Sequence, residues 1–98
     1  MTAPTAPRTS ADLLDRALEV SPQVAVRPES FGALLYHFGT RRLSFLKDRR
    51  LLAVLEHLPA LATAGQACAA AGLGPDELPT YARALATLVD TDMLRERP

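Results

Sequence analysis

The sequence predicts an α+β fold: a three-stranded antiparallel sheet followed by three helices in a winged helix-turn-helix-like order, with a short N-terminal helical extension. Three observations carry this. Strand-like apolar runs fill the segment 23–47, alternating in Gln23 to Arg27 and Arg41 to Lys47 and more continuous in Phe31 to Phe38, and after Asp48 apolar residues recur at helical spacing. The connections between strand-like runs are too short for a parallel crossover, which needs about a dozen residues.

Residues 1–9, with Pro4 and Pro7, read as a disordered tail, because proline interrupts both helix and ladder. Ser10 is an N-cap candidate, and Leu13, Leu14, Ala17 and Leu18 follow at helical spacing, which predicts a short amphipathic helix over 10–20. Ser21 and Pro22 end it. In Gln23 to Arg27, Val24 and Val26 share one face, which predicts the first strand. Phe31 to Phe38 is the second strand and Arg41 to Lys47 the third. In the third, Leu43 and Phe45 share one face, and Arg42, Ser44 and Leu46 the other. A tight turn at Gly39-Thr40 joins them, with glycine supplying positive φ.

Asp48 caps the next helix, whose stripe is Leu51, Leu52, Leu55 and Leu58 and whose end is set by Pro59. An Ala-rich helix follows from Thr63 to Gly72. The last helix begins between Asp76 and Pro79 and turns Leu78, Tyr81, Leu85, Leu88 and Val89 inward as far as Thr91. Proline in its first turn removes no intrahelical bond.

The chain's 98 residues suit one domain, expected over 21–94, that buries roughly 60% of its unfolded surface. No apolar run approaches the roughly 18 residues that span a bilayer, so no membrane partner is expected. The N-terminus lacks a basic region followed by an apolar stretch, and one cysteine excludes an intrachain disulfide; a cytoplasmic location is expected.

The chain is poor in chemistry. His37, His57 and Cys68 are not accompanied by carboxylates at metal-ligand spacing or by a base with an orienting group. His57 suits a helix C-terminus, and Cys68 in an Ala-rich helix suits a small buried hydrophobe. A single thiol holds no iron–sulfur cluster, and glycine-rich phosphate loops are missing. The expectation is a protein with no catalytic residue, no metal and no cofactor of its own.

The third strand is the distinctive feature. It ends the strand order, so one edge is unpaired, and Arg41, Arg42, Lys47, Arg49 and Arg50 crowd around it. Such charges protect an edge from aggregation, and they also suit an edge that accepts an acidic peptide by strand addition.

The succession SPQVAVRPE, FGALLYHFGTRRLSFLK, LLAVLEHL, an Ala-rich helix and YARALATLVDTDML resembles the PqqD-like peptide chaperones known as RiPP recognition elements. Within them, VRPESFGALLYHFGTRRLSFLK most resembles the mycofactocin-system precursor-peptide chaperones. The resemblance covers about residues 21–94. It implies a carrier that binds the leader of a ribosomally made precursor peptide and brings it to a radical S-adenosylmethionine maturase.

It also implies where the leader lies: along the third strand, Arg41, Arg42, Leu43, Ser44, Phe45, Leu46 and Lys47, and against the last helix. Leu78, Tyr81, Leu85 and Leu88 serve the core there, which leaves the flank Thr80, Arg83, Ala84 and Thr87 to meet the peptide. The chain is expected to be a monomer or weak dimer.

Two other readings stand beside this one, a winged-helix DNA-binding regulator and a structural subunit without its own peptide site. Zero net charge and the acidic Asp90 and Asp92 on the would-be recognition helix argue against nucleic acid.

Overall fold

The computed structural model describes residues 10–98; the expected tail over 1–9 lies outside them. The order is α1 (Ser10–Leu13), β1 (Leu18–Val20), β2 (Val24–Glu29), β3 (Gly32–His37), β4 (Leu43–Leu46), α2 (Arg49–His57), α3 (Ala64–Ala70), α4 (Leu78–Asp90) and β5 (Leu94–Glu96). Single 3₁₀ turns at Leu58–Ala60 and Pro75–Glu77 lead out of α2 and into α4. The fold is thus α+β, with β2, β3 and β4 forming an antiparallel three-stranded sheet in sequence order.

The predicted helix over 10–20 is replaced by two elements. Helix α1 covers four residues, and Leu18–Val20 pairs antiparallel with Leu94–Glu96 in a separate two-stranded sheet. Ion pairs cross that sheet, Glu19 with Arg95 at 2.5 Å and Arg16 with Glu96. Leu18 and Leu94 are each 1% exposed, so burial by tertiary pairing decides the local conformation over helical spacing.

The hairpin between β3 and β4 also differs from the expected two-residue turn. Four residues, 38 to 41, span it; the His37 N–H donates to Arg42 O and the Arg41 N–H to His37 O. The positive φ falls on Arg41, at 65°, and not on Gly39. Gly39 fits closely against His37 instead: a Cβ there would stand 2.9 Å from Cε1 of this buried ring, whereas its 2.2 Å approach to Gln23 Oε1 meets only the tip of an exposed, flexible side chain.

Pairing in the sheet sets its two faces. Ala33, Leu35 and Leu46 point into the core, while Leu34, Tyr36, Leu43 and Phe45 point outward. Against the inner face pack Leu51, Val54, Leu55 and Leu58 of α2 and the turn after it, with Val54 taking the buried place expected for Leu52. Tyr81, Leu85 and Leu88 of α4 complete the core, with Met93 and Leu94 beneath. Cys68 is fully buried among them, and that burial pushes its thiol pKa up.

Candidate functional site: an edge strand beside a groove

Among the described residues β4 pairs with β3 alone, so its second edge is unpaired. Beside that edge runs a groove of about 310 Å³ lined by Ser44, Phe45, Leu46 and Lys47 of the strand and its exit, Leu51 of α2, and Ala84, Thr87 and Leu88 of α4. The floor is apolar and the rim polar.

The register decides which backbone groups face the groove. His37 N–H bonds to Arg42 O at 2.9 Å, which makes these two a hydrogen-bonded pair. Alternation along the ladder then makes Leu35–Ser44 and Ala33–Leu46 hydrogen-bonded pairs too. The N–H and C=O groups of Leu43 and Phe45 therefore point away from β3, toward the open edge.

One network ties the groove's walls together. Asp48 caps α2, accepting from the N–H groups of Arg50 at 2.8 Å and Leu51 at 3.4 Å. Its second carboxylate oxygen accepts the hydroxyl hydrogen of Tyr81 on α4. Arg50 stands 5.6 Å over the Tyr81 ring and donates to Glu77 at 2.5 and 3.2 Å. That bond, helped by the Gly74 N–H, holds the Glu77 carboxyl below its ordinary range. The β4–α2 junction and the start of α4 are fixed to one another by side chains that leave the groove open.

Of the residues singled out from the sequence, Ser44, Phe45, Leu46, Lys47, Ala84 and Thr87 line the groove. Leu43 adjoins it on the edge strand. Arg41 and Arg42 stand at the hairpin end, exposed, and Thr80 and Arg83 lie on α4 outside the lining. Leu51 and Leu88 were missed. Leu88, 5% exposed, belongs both to the core and to the groove floor, and its i, i+4 spacing from Ala84 is the signal that marks it. Among the described residues no three His, Cys, Asp or Glu side chains converge to hold a metal ion, and no helix is long and apolar enough to cross a membrane.

A small α+β domain with an open strand edge beside an apolar groove has the form of a peptide-binding module. The chain belongs to the peptide chaperone MftB family, whose profile matches residues 17–95. The peptide chaperone MftB of Mycobacterium tuberculosis is 51% identical over 83 residues, covering 85% of this chain and 76% of the relative. That of Mycobacterium ulcerans is 52% identical over 80 residues, 82% of this chain and 73% of the relative. The protein of the same name in Mycolicibacterium smegmatis is 54% identical over 72 residues, 74% of this chain and 71% of the relative. No solved structure matches.

Proposed function

We propose that this protein is a noncatalytic carrier in mycofactocin-type redox cofactor biosynthesis, with a winged-helix, PqqD-like architecture. It binds the leader of a ribosomally made precursor peptide by strand addition to β4 and delivers it to a radical S-adenosylmethionine maturase. The observation that carries the reading is the unpaired edge of β4 running beside an apolar groove. A leader strand would satisfy the outward N–H and C=O groups of Leu43 and Phe45, and its alternate side chains would enter the groove between Leu46 and Leu88.

The flank Ala84 and Thr87 meets the peptide directly, while Arg41, Arg42, Lys47, Thr80 and Arg83 act from the rim. Ordering a flexible leader offsets part of the contact energy, so an affinity of about 8–10 kcal/mol, micromolar to sub-micromolar, suits a carrier that must release its cargo.

Thr87→Trp tests the site. Thr87 is exposed on α4, so the indole fills the groove without entering the core. Calorimetric titration with a synthetic leader should show 1:1 binding to the wild-type protein and at least about tenfold weaker binding to the variant, about 1.4 kcal/mol. Undiminished binding with an unchanged melting temperature places the leader elsewhere.

A further inference from the structure

The groove accounts for the edge of β4 and leaves the outer face of the sheet unused. Across that face, Ala25, Tyr36 and Leu43 form one row and Arg27, Leu34 and Phe45 the next. Phe38 meets Tyr36 edge-on with centroids 5.2 Å apart, and Phe31 lies 6.3 Å from Phe45. Phe31, Phe38, Leu43 and Phe45 are 42%, 59%, 53% and 58% exposed. They are the large exposed hydrophobic side chains of the described residues, and all four gather on or beside this face. Scattered exposed apolar side chains are ordinary; an aromatic-rich contiguous patch marks a contact surface.

The charges around the patch indicate what it meets. Arg27 lies within it, its side chain 75% exposed although 3.0 Å from Glu29. Arg41 and Arg42 stand at the hairpin end beside Phe38 and Leu43, and Lys47 follows β4 at the other end; none of these three forms an ion pair among the described residues. Two copies meeting face to face would bring these cations together. An apolar centre inside a cationic rim complements an apolar patch flanked by carboxylates.

We propose that the outer face of the sheet is the docking surface for the folded protein that receives the peptide, whose contact patch is apolar with a carboxylate rim. Side chains alternate across the strands, so Leu34, Tyr36 and Leu43 lie opposite the groove side of β4. Leader and acceptor can occupy the protein together: Phe45 and Lys47 contribute to both sites, Leu43 offers its backbone to the leader and its side chain to the outer face, and Leu34, Tyr36 and Phe38 belong to the outer face alone. The acceptor's identity rests on the function proposed above; the surface does not.

The test uses the full chain, purified radical S-adenosylmethionine maturase and a synthetic leader, with the two affinities measured separately. The variants are Phe38→Thr with Leu34→Thr, which replace apolar by strand-compatible polar side chains, and Arg27→Glu, which reverses a charge at an exposed position. Maturase binding should fall at least about tenfold in the double variant and severalfold in Arg27→Glu, while leader affinity stays within about twofold. If the double variant does not fold, Arg27→Glu decides alone.

Maturase affinity unchanged in the folded variants overturns the proposal, as does a wild-type protein that does not bind maturase. Sedimentation showing a wild-type dimer that the double variant dissolves also overturns it, in favour of a second copy. A protein that binds maturase through this face but does not hold the leader supports the surface and sinks the carrier reading.

Discussion

His37 Nδ1 accepts the backbone N–H groups of both Gly39 and Thr40 at 3.0 Å, so the neutral imidazole carries its proton on Nε2 and its ring organises the hairpin from inside. Tyr81 does comparable work across the groove, donating to Asp48 while 7% exposed. Tyr81→Phe should therefore cost about 1 kcal/mol of stability near neutral pH, since it removes a mostly buried hydrogen bond and leaves the packing of the ring. The same bond, then burial and the Asp48 charge, push the Tyr81 phenol above its ordinary value against the opposing pull of Arg50. A pKa raised in the folded state gives a contribution fully present below the unfolded value of about 10 and lost as pH rises through the folded one. The gap between wild type and Tyr81→Phe should accordingly be full in urea melts at about pH 8 and narrow at about pH 11. A gap that persists at the higher pH would mean that the phenol contributes by packing. Cys68, pushed up by burial, is common to both proteins and lowers both in the same alkaline range.

At the scale of elements, the register of β4 separates two proline substitutions that look alike in sequence. Leu43→Pro removes an N–H that points to the open edge, whereas Ser44→Pro removes one from the ladder with β3. Leader affinity should drop at least about tenfold for Leu43→Pro with circular dichroism intact, and Ser44→Pro should lower the melting temperature. Normal binding by a folded Leu43→Pro variant would exclude strand addition at this edge. The alternation of Leu43 and Phe45 against Ser44 and Leu46 was legible in the sequence, as was Asp48 as the cap of α2, because each is a local signal. The three-residue strands β1 and β5 were not: Leu-Glu-Val and Leu-Arg-Glu are too short to show a period, and a partner 76 residues away makes them strands. Gly39 was flagged for positive φ, but the positive φ falls on Arg41, and Gly39 instead lies close against the buried His37 ring, which only the folded hairpin shows. Six of the eight groove-lining residues were readable, and Leu51 and Leu88 were not, for a related reason. Edge position and charge appear in strand order, but the floor residue Leu88 is as apolar as any core residue, and its second role emerges only once α4 is placed beside β4.

The whole molecule carries zero net charge, unevenly distributed: five cations and Asp48 between Arg41 and Arg50 give +4, which leaves −4 for the rest of the chain. The structure divides the five. Arg50 is committed to Glu77 and the Tyr81 ring, while Arg41, Arg42, Lys47 and Arg49 form no ion pair among the described residues and remain exposed around the edge strand. Their combined field reaches beyond contact distance and should steer an acidic leader to the edge. Each exposed pair contributes at most about 1 kcal/mol and is screened within about 8 Å at physiological ionic strength, so the cations act on association more than on residence. The double substitution Arg41→Ala with Arg42→Ala leaves the groove lining untouched. It should slow leader association severalfold in stopped-flow measurements at low salt, leave the dissociation rate within about twofold, and lose most of its effect near 0.5 M salt. An association rate unchanged at low salt would reduce these arginines to protection of an open strand edge, with recognition left to the apolar groove; a dissociation rate raised tenfold would instead mean that they grip the bound leader directly.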